Sequence, residues 1–209
     1  MIDAAALALF LLAAGLIAVS PGPGLLYVAA RTLSGGFAEG VASSFGTLVG
    51  GSVHVAAGAI GVSAIVMASA EAFAVLKLAG ALYLVWLGVR TFRSARVAVP
   101  PAAGPAGSRR AFREGILVEA LNPKTAAFFL AFIPQFVDPA AGSVALQFAL
   151  LGCLSVVLNT AVDLVVAWFA ASVRAGFVAR PNVVARLRQA SGVLLCGLGV
   201  GLAFARRPG

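Results

Sequence analysis

Apolar residues run almost unbroken for membrane-length stretches along this chain, and polar positions fall between the stretches or at two points inside them. A helical span needs about 20 mainly apolar residues, and six windows qualify: 4–30, 41–69, 72–89, 112–137, 144–173 and 187–205. Two of the six carry proline at mid-length, in Ser20-Pro21-Gly22-Pro23 and in Asn122-Pro123-Lys124. Proline suits the first position of a helix, and Ser or Asn suits the cap before it. Each motif therefore predicts a helix that stops and restarts within the bilayer. Freed backbone at membrane depth is tolerated where it lines a cavity or is buried in protein, which makes the pair a candidate binding site.

Composition agrees with the pattern. The chain is 61% hydrophobic and 11% charged, with a mean hydropathy of +1.04, whereas soluble domains carry roughly 25% charged residues. The expected fold is an all-α, multi-pass integral membrane protein forming one transporter domain over 1–209. Met1-Ile2-Asp3 places no basic residue before the first apolar run. A cleaved signal would want a positive leading region, so the first segment is expected to stay as a membrane helix.

The formal net charge of +8 points to the bilayer rather than to nucleic acid, because of where the cations lie. Arg31 sits between spans one and two. Arg90, Arg93, Arg96, Arg109, Arg110 and Arg113 flank the third connection, and Arg174, Arg180, Arg186 and Arg188 lie between spans five and six. Eleven of the 15 Lys and Arg thus fall on one side, which the positive-inside rule assigns to the cytoplasm. Six spans then put both termini outside, against which only Arg206 and Arg207 argue; an odd count follows instead if a Pro-broken segment does not cross fully. The third connection, about 93–111, has a Pro-, Ala- and Gly-rich core at 97–108 and reads as a flexible cytoplasmic linker.

The halves repeat. Ala18-Val19-Ser20-Pro21 stands 102 residues before Ala120-Leu121-Asn122-Pro123, and Gly80-Ala81-Leu82-Tyr83 is echoed by Gly192-Val193-Leu194-Leu195. Repeat 1 would cover about 1–92 and repeat 2 about 112–209. Three spans per half is an odd number, so the repeats would be inverted, a recurring secondary-transporter design in which broken helices meet near the midplane.

Few polar residues lie inside the spans. Gly46, Gly50, His54 and Gly58 recur every four residues and form one narrow stripe. The glycines read as a helix-packing face. His54, on the same face, fits either a hydrogen-bonded core residue or a protonatable site. Asp163 lies deep in span five, one turn after Asn159, where a carboxylate needs a cavity or a partner. Glu119 lies one turn before Asn122. Lys124 has three candidate partners: Glu119, Asp163, or the carboxylate of a substrate. Two restarted helices, each offering unpaired N–H groups and about half a positive charge, suit an anionic group, and Asp163 and Glu119 suit an ammonium. Together these favour a small zwitterion such as an amino acid, held by Ser20, Pro21, Gly22, Pro23, Glu119, Asn122, Pro123 and Lys124. There is no G-x-x-x-x-G-K-[ST] loop, so transport would draw on an ion gradient, most simply protons, with Asp163 or His54 titrating. No cofactor is expected. Cys153 and Cys196 stand in apolar runs as inert core residues, and one His with two separated Cys makes no zinc site.

On these residues the chain resembles the LysE/RhtB family of bacterial amino-acid exporters. The resemblance rests on Ser20-Pro21-Gly22-Pro23-Gly24, the glycine stripe leading to His54, and Leu76-Lys77-Leu78-Ala79-Gly80-Ala81-Leu82-Tyr83-Leu84 with Trp86-Leu87-Gly88. It continues through Leu121-Asn122-Pro123-Lys124, Pro134-Gln135-Phe136, and Asn159-Thr160-Ala161-Val162-Asp163. It implies an exporter of amino acids or close derivatives in the bacterial inner membrane, driven by the proton gradient, and a homodimer is compatible with it. Glu119 matches no position of the family pattern. The competing classes are a metal or toxic-ion exporter on the same scaffold, short of carboxylates and thiols, and an intramembrane enzyme, which lacks a G-x-S-x-G elbow.

Overall fold

The computed structural model describes residues 4–96, 104–173 and 181–204. Among them every regular element is helical. In chain order these are α1 (Ala4–Val19), α2 (Pro23–Gly35), α3 (Phe37–Ala68), α4 (Ala70–Arg93), α5 (Ser108–Ala120), α6 (Pro123–Ala127), α7 (Val144–Val173) and α8 (Pro181–Phe204). A wide π-helical turn, Phe128–Phe132, and a 3-10 turn, Ile133–Phe136, continue α6. The amino terminus at 1–3, linker residues 97–103, and Arg174, Arg180, Arg206 and Arg207 lie outside the described residues.

Among the described residues three helices are long and apolar enough to cross a membrane by themselves, and the count reaches five if each bent pair is one span. The bends fall at the two proline motifs: α1 meets α2 at 47°, and α5 meets the Pro123–Phe136 segment at 41°. The reading of six spans is met to that extent. A helix, α8, stands where the sixth was placed, but it is not among the candidate spans. The described part of the linker lies between α4, which runs to Arg93, and α5, which opens at Ser108. Its last residues are held, with Ala106 N and Gly107 N donating to Glu39 Oε1 at 2.9 and 2.7 Å. That carboxylate serves the α5 amino terminus, where Gly107 supplies no side-chain cap.

The exterior is apolar and much of the polar chemistry is inside. Leu9, Leu12, Leu82, Leu150, Val157 and Trp168 are exposed, whereas Glu39, Asn122, Lys124, Thr160 and Asp163 are buried. This suits a surface solvated by lipid. Hydroxyls inside α3 return to their own helix, as Ser43 does to Glu39 O at 2.7 Å and Ser44 to Gly40 O at 3.0 Å. Cys153 differs from its expected place in the core: it is exposed on α7, while Cys196 is half-buried and reaches Val85 O at 3.5 Å.

Helix α3 is the axis of the bundle, packed on α5 and α7, and α4 packs on α8. The α3–α5 contact is backbone on backbone. A Cβ on Gly46 would meet the Phe112 carbonyl, and one on Gly50 would meet the Ile116 carbonyl and Ala120 N, the latter at 2.9 Å. Gly58 faces the Phe148 ring of α7. Backbone cannot rotate away as a side chain can, so Gly50→Val must part the helices. Overpacking of this kind costs about 1–3 kcal/mol, read as a lower Tm of the detergent-purified protein. Gly61→Ala, with nothing within 4 Å of its added Cβ, should leave Tm unchanged or slightly raised.

Candidate functional site

The two breaks are in direct contact, and the side chain joining them is Lys124. At the second break Asn122 caps α6, its Oδ1 accepting from Lys124 N at 3.0 Å, with Pro123 next in the first helical position. At the first break the cap is Gly22, with Pro23 opening α2, rather than Ser20 with Pro21. The Ser20 N–H completes the last turn of α1 by donating to Ile17 O at 3.1 Å, and the restart falls two residues further on. The Ser20 hydroxyl is buried and makes no hydrogen bond among the described residues.

Lys124 Nζ reaches back across the seam to Ile17 O at 3.0 Å and Ser20 O at 2.9 Å. These carbonyls end α1, and a cation there offsets the negative end of the helix dipole. Among the described residues Lys124 makes no ion pair with Glu119 or Asp163. The opposite wall is Gly22, where a Cβ would stand 3.0 Å from Lys124 Cε, so the ammonium stem passes over a residue without a side chain.

The second broken helix ends in a matching way. His54 Nε2 lies 3.0 Å from the Glu119 carbonyl, and because that oxygen can only accept, the ring nitrogen donates. Ile17 and Glu119 are 102 residues apart, the offset of the sequence repeat. Each carbonyl thus takes a hydrogen bond from a basic side chain of another helix. The His54 ring also lies 5.7 Å from that of Phe129.

Glu119 is buried beside the α2 amino terminus. Asn122 Nδ2 donates to its Oε2 at 2.9 Å and Thr125 Oγ1 to its Oε1 at 2.5 Å. A Cβ on Gly24 would overlap the same carboxylate. The place where α2 presents its first turn is therefore taken by an acidic side chain of the protein itself. Asp163, on α7, accepts from Thr47 Oγ1 of α3 at 2.8 Å.

Asp163, Glu119, Asn122, Lys124, Thr47 and Asn159 line one small chamber. Its free volume is about 20 Å³, roughly one water molecule. A second cavity of about 370 Å³ lies on the other side of Lys124, with Ser20, Gly22 and Pro123 among its walls and Arg90 and Arg188 further out. Lys124 lines both spaces. Sequence reasoning missed this outer cavity, because Arg90 and Arg188 were accounted for by orientation in the membrane.

A charged cluster joins α2 to α5. Arg31 of α2 pairs with Glu114 of α5, which Arg110 Nε also meets at 2.7 Å, and Tyr27 Oη donates to Ala111 O at 2.9 Å. Beyond the small chamber, Phe10 of α1 packs against Phe128, Phe132 and Phe136, with ring centroids 6.2, 6.5 and 5.2 Å away.

The polar chamber lies between the two broken helices and α3 and α7, and residues 16–206 match the LysE type translocators. The chain belongs to this LysE family. Its members are translocators rather than enzymes. The chain is 32% identical over 198 residues to the homoserine/homoserine lactone efflux protein of Salmonella typhimurium, covering 94% of this chain and 95% of that one. An uncharacterized membrane protein of Vibrio cholerae is 30% identical over 199 residues, with 94% and 96% covered. The leucine efflux protein of Enterobacter sp. is 28% identical over 144 residues, 68% of each chain. No solved structure matches.

Proposed function

We infer that the protein is a secondary-active exporter of amino acids or closely related small zwitterions, working across the bacterial inner membrane against a flow of protons. The observation that carries this reading is the joint at Lys124: two broken helices held together by one cation above a chamber with two carboxylates. Relatives with amino-acid efflux names over most of the chain support the substrate class.

In the mechanism, Asp163 and Glu119 take either a proton or the substrate ammonium, so the two are exchanged rather than carried together. Lys124 meets the substrate carboxylate. Two of its three N–H donors are engaged by Ile17 O and Ser20 O, and a carboxylate would compete for them as a charge-assisted acceptor. His54 fixes the end of α5 so that the second break keeps its shape.

The chamber at about 20 Å³ is too small for any amino acid, so binding requires the breaks to part. With Arg90 and Arg188 lining the larger cavity, on the side that the positive-inside rule assigns to the cytoplasm, the arrangement fits a carrier facing the cytoplasm. Two inverted three-helix repeats, each with one broken helix, would give the complementary outward state by exchanging roles.

Everted vesicles containing the protein should accumulate homoserine or leucine when a proton gradient is imposed, and lose the accumulation when it is collapsed. Uptake that survives joint replacement of Asn122 and Pro123 by Ala would sink the assignment of the site to the breaks.

A further inference from the structure

The two spaces separated by Lys124 are sorted by charge. The inner chamber carries two carboxylates, Asp163 and Glu119. The outer one carries Arg90 and Arg188 and, among its described lining residues, no acid. Its floor includes Ser20, whose hydroxyl is buried and has no partner among the described residues. A buried hydroxyl without a hydrogen bond is costly, and a ligand oxygen at that floor would remove the cost. The volume of about 370 Å³ falls within the range of small-molecule sites, roughly 300–1,000 Å³, whereas the inner chamber does not.

We propose that the outer cavity is a separate carboxylate-recognition site, in which Arg90 and Arg188 with Ser20 hold an amino acid by its carboxylate before Lys124 moves aside. The inference rests on amino-acid export as read above. It places recognition of the carboxylate outside the Lys124 partition and leaves the ammonium to Asp163 and Glu119 once Lys124 has moved. Arg90 suits the task, being exposed at the end of α4 and braced over the Trp86 ring at 5.3 Å. A guanidinium also grips a carboxylate through two parallel hydrogen bonds.

Homoserine and its lactone provide the test, because they share the ammonium and only homoserine has a carboxylate. Binding of each is measured by calorimetry on the full chain in nanodiscs. The double variant Arg90→Gln, Arg188→Gln should weaken homoserine by about tenfold or more, the effect of losing a charge-assisted hydrogen bond. Lactone affinity should stay within about twofold, well under the 1.4 kcal/mol that a tenfold change represents. Arg90→Lys, Arg188→Lys should recover part of the homoserine loss. Arg113→Gln, an exposed arginine of α5 away from the cavity, should change neither ligand. Equal losses for homoserine and lactone, no loss for either, or the same loss in Arg113→Gln would overturn the proposal while export stood. A wild-type protein that neither binds nor transports either compound would overturn the export reading, and this site with it.

Discussion

Lys124→Met should reduce export at least about tenfold while the protein still inserts and purifies. Methionine keeps most of the length and the apolar stem of lysine but removes the ammonium that bridges the breaks. Ile17 O and Ser20 O then lose their common donor, and a carbonyl orphaned away from water costs about 1–3 kcal/mol. Removal of a buried cation acts in the opposite direction, because its desolvation penalty disappears. The two effects offset in stability, so Tm should move little. They do not offset in transport, where the charge-assisted contact to the substrate carboxylate is lost outright, a contact of about 1.5–3 kcal/mol or roughly 10- to 150-fold. Lys124→Arg keeps the charge but presses a wider head group toward Gly22, where a Cβ would already stand 3.0 Å from the lysine stem; it should recover part of the activity. Initial rates in everted vesicles, normalised to protein present, check the series. A methionine variant exporting within about twofold of wild type, under half of the 1.4 kcal/mol in a tenfold change, would remove Lys124 from substrate binding.

The breaks were legible because proline acts through its own backbone: without an N–H it can open a helix far more readily than continue one. Even so, Ser20-Pro21-Gly22-Pro23 offers two prolines equally suited to open α2. The helix opens at Pro23 with Gly22 as its cap, an outcome that a cap rule does not contain. The Asn122 cap was simpler, with one proline and one side chain able to reach Lys124 N. Asp163 and Glu119 stood out as carboxylates inside apolar runs. Their partners did not, since Thr47 is 116 residues from Asp163 and the carbonyls that hold Lys124 are 107 and 104 residues away. Alternatives left open for Lys124 all supposed an acidic partner, whereas a helix end presents backbone oxygens that no residue letter records. The hold on the end of the linker was hidden for a related reason. Its Pro-, Ala- and Gly-rich composition gave no sign that Glu39, 67 residues earlier, would hold Ala106 in place.

Asp163→Asn should separate exchange from coupled transport. Asparagine has nearly the shape of aspartate, and its amide oxygen can still accept from Thr47 Oγ1, the bond seen at 2.8 Å. The packing of α3 on α7 should therefore survive, with a Tm close to that of wild type. What the variant loses is a group that can pick up and release a proton. If Asp163 holds proton and substrate by turns, the empty carrier can no longer return with a proton bound there. A gradient of one pH unit is worth about 1.4 kcal/mol per proton, or tenfold in substrate concentration, and that accumulation should vanish. Exchange of labelled for unlabelled amino acid needs no net proton movement and should continue, at a rate set by how much ammonium affinity Glu119 retains alone. The measurement is therefore double: gradient-driven uptake and counterflow in the same vesicles. Loss of both assigns Asp163 to substrate binding rather than to coupling. Retention of both shifts the coupling role to Glu119 or His54, and between those two His54→Gln is informative. Its side-chain amide can still donate to the Glu119 carbonyl, so transport that survives the change marks the imidazole as a structural cap.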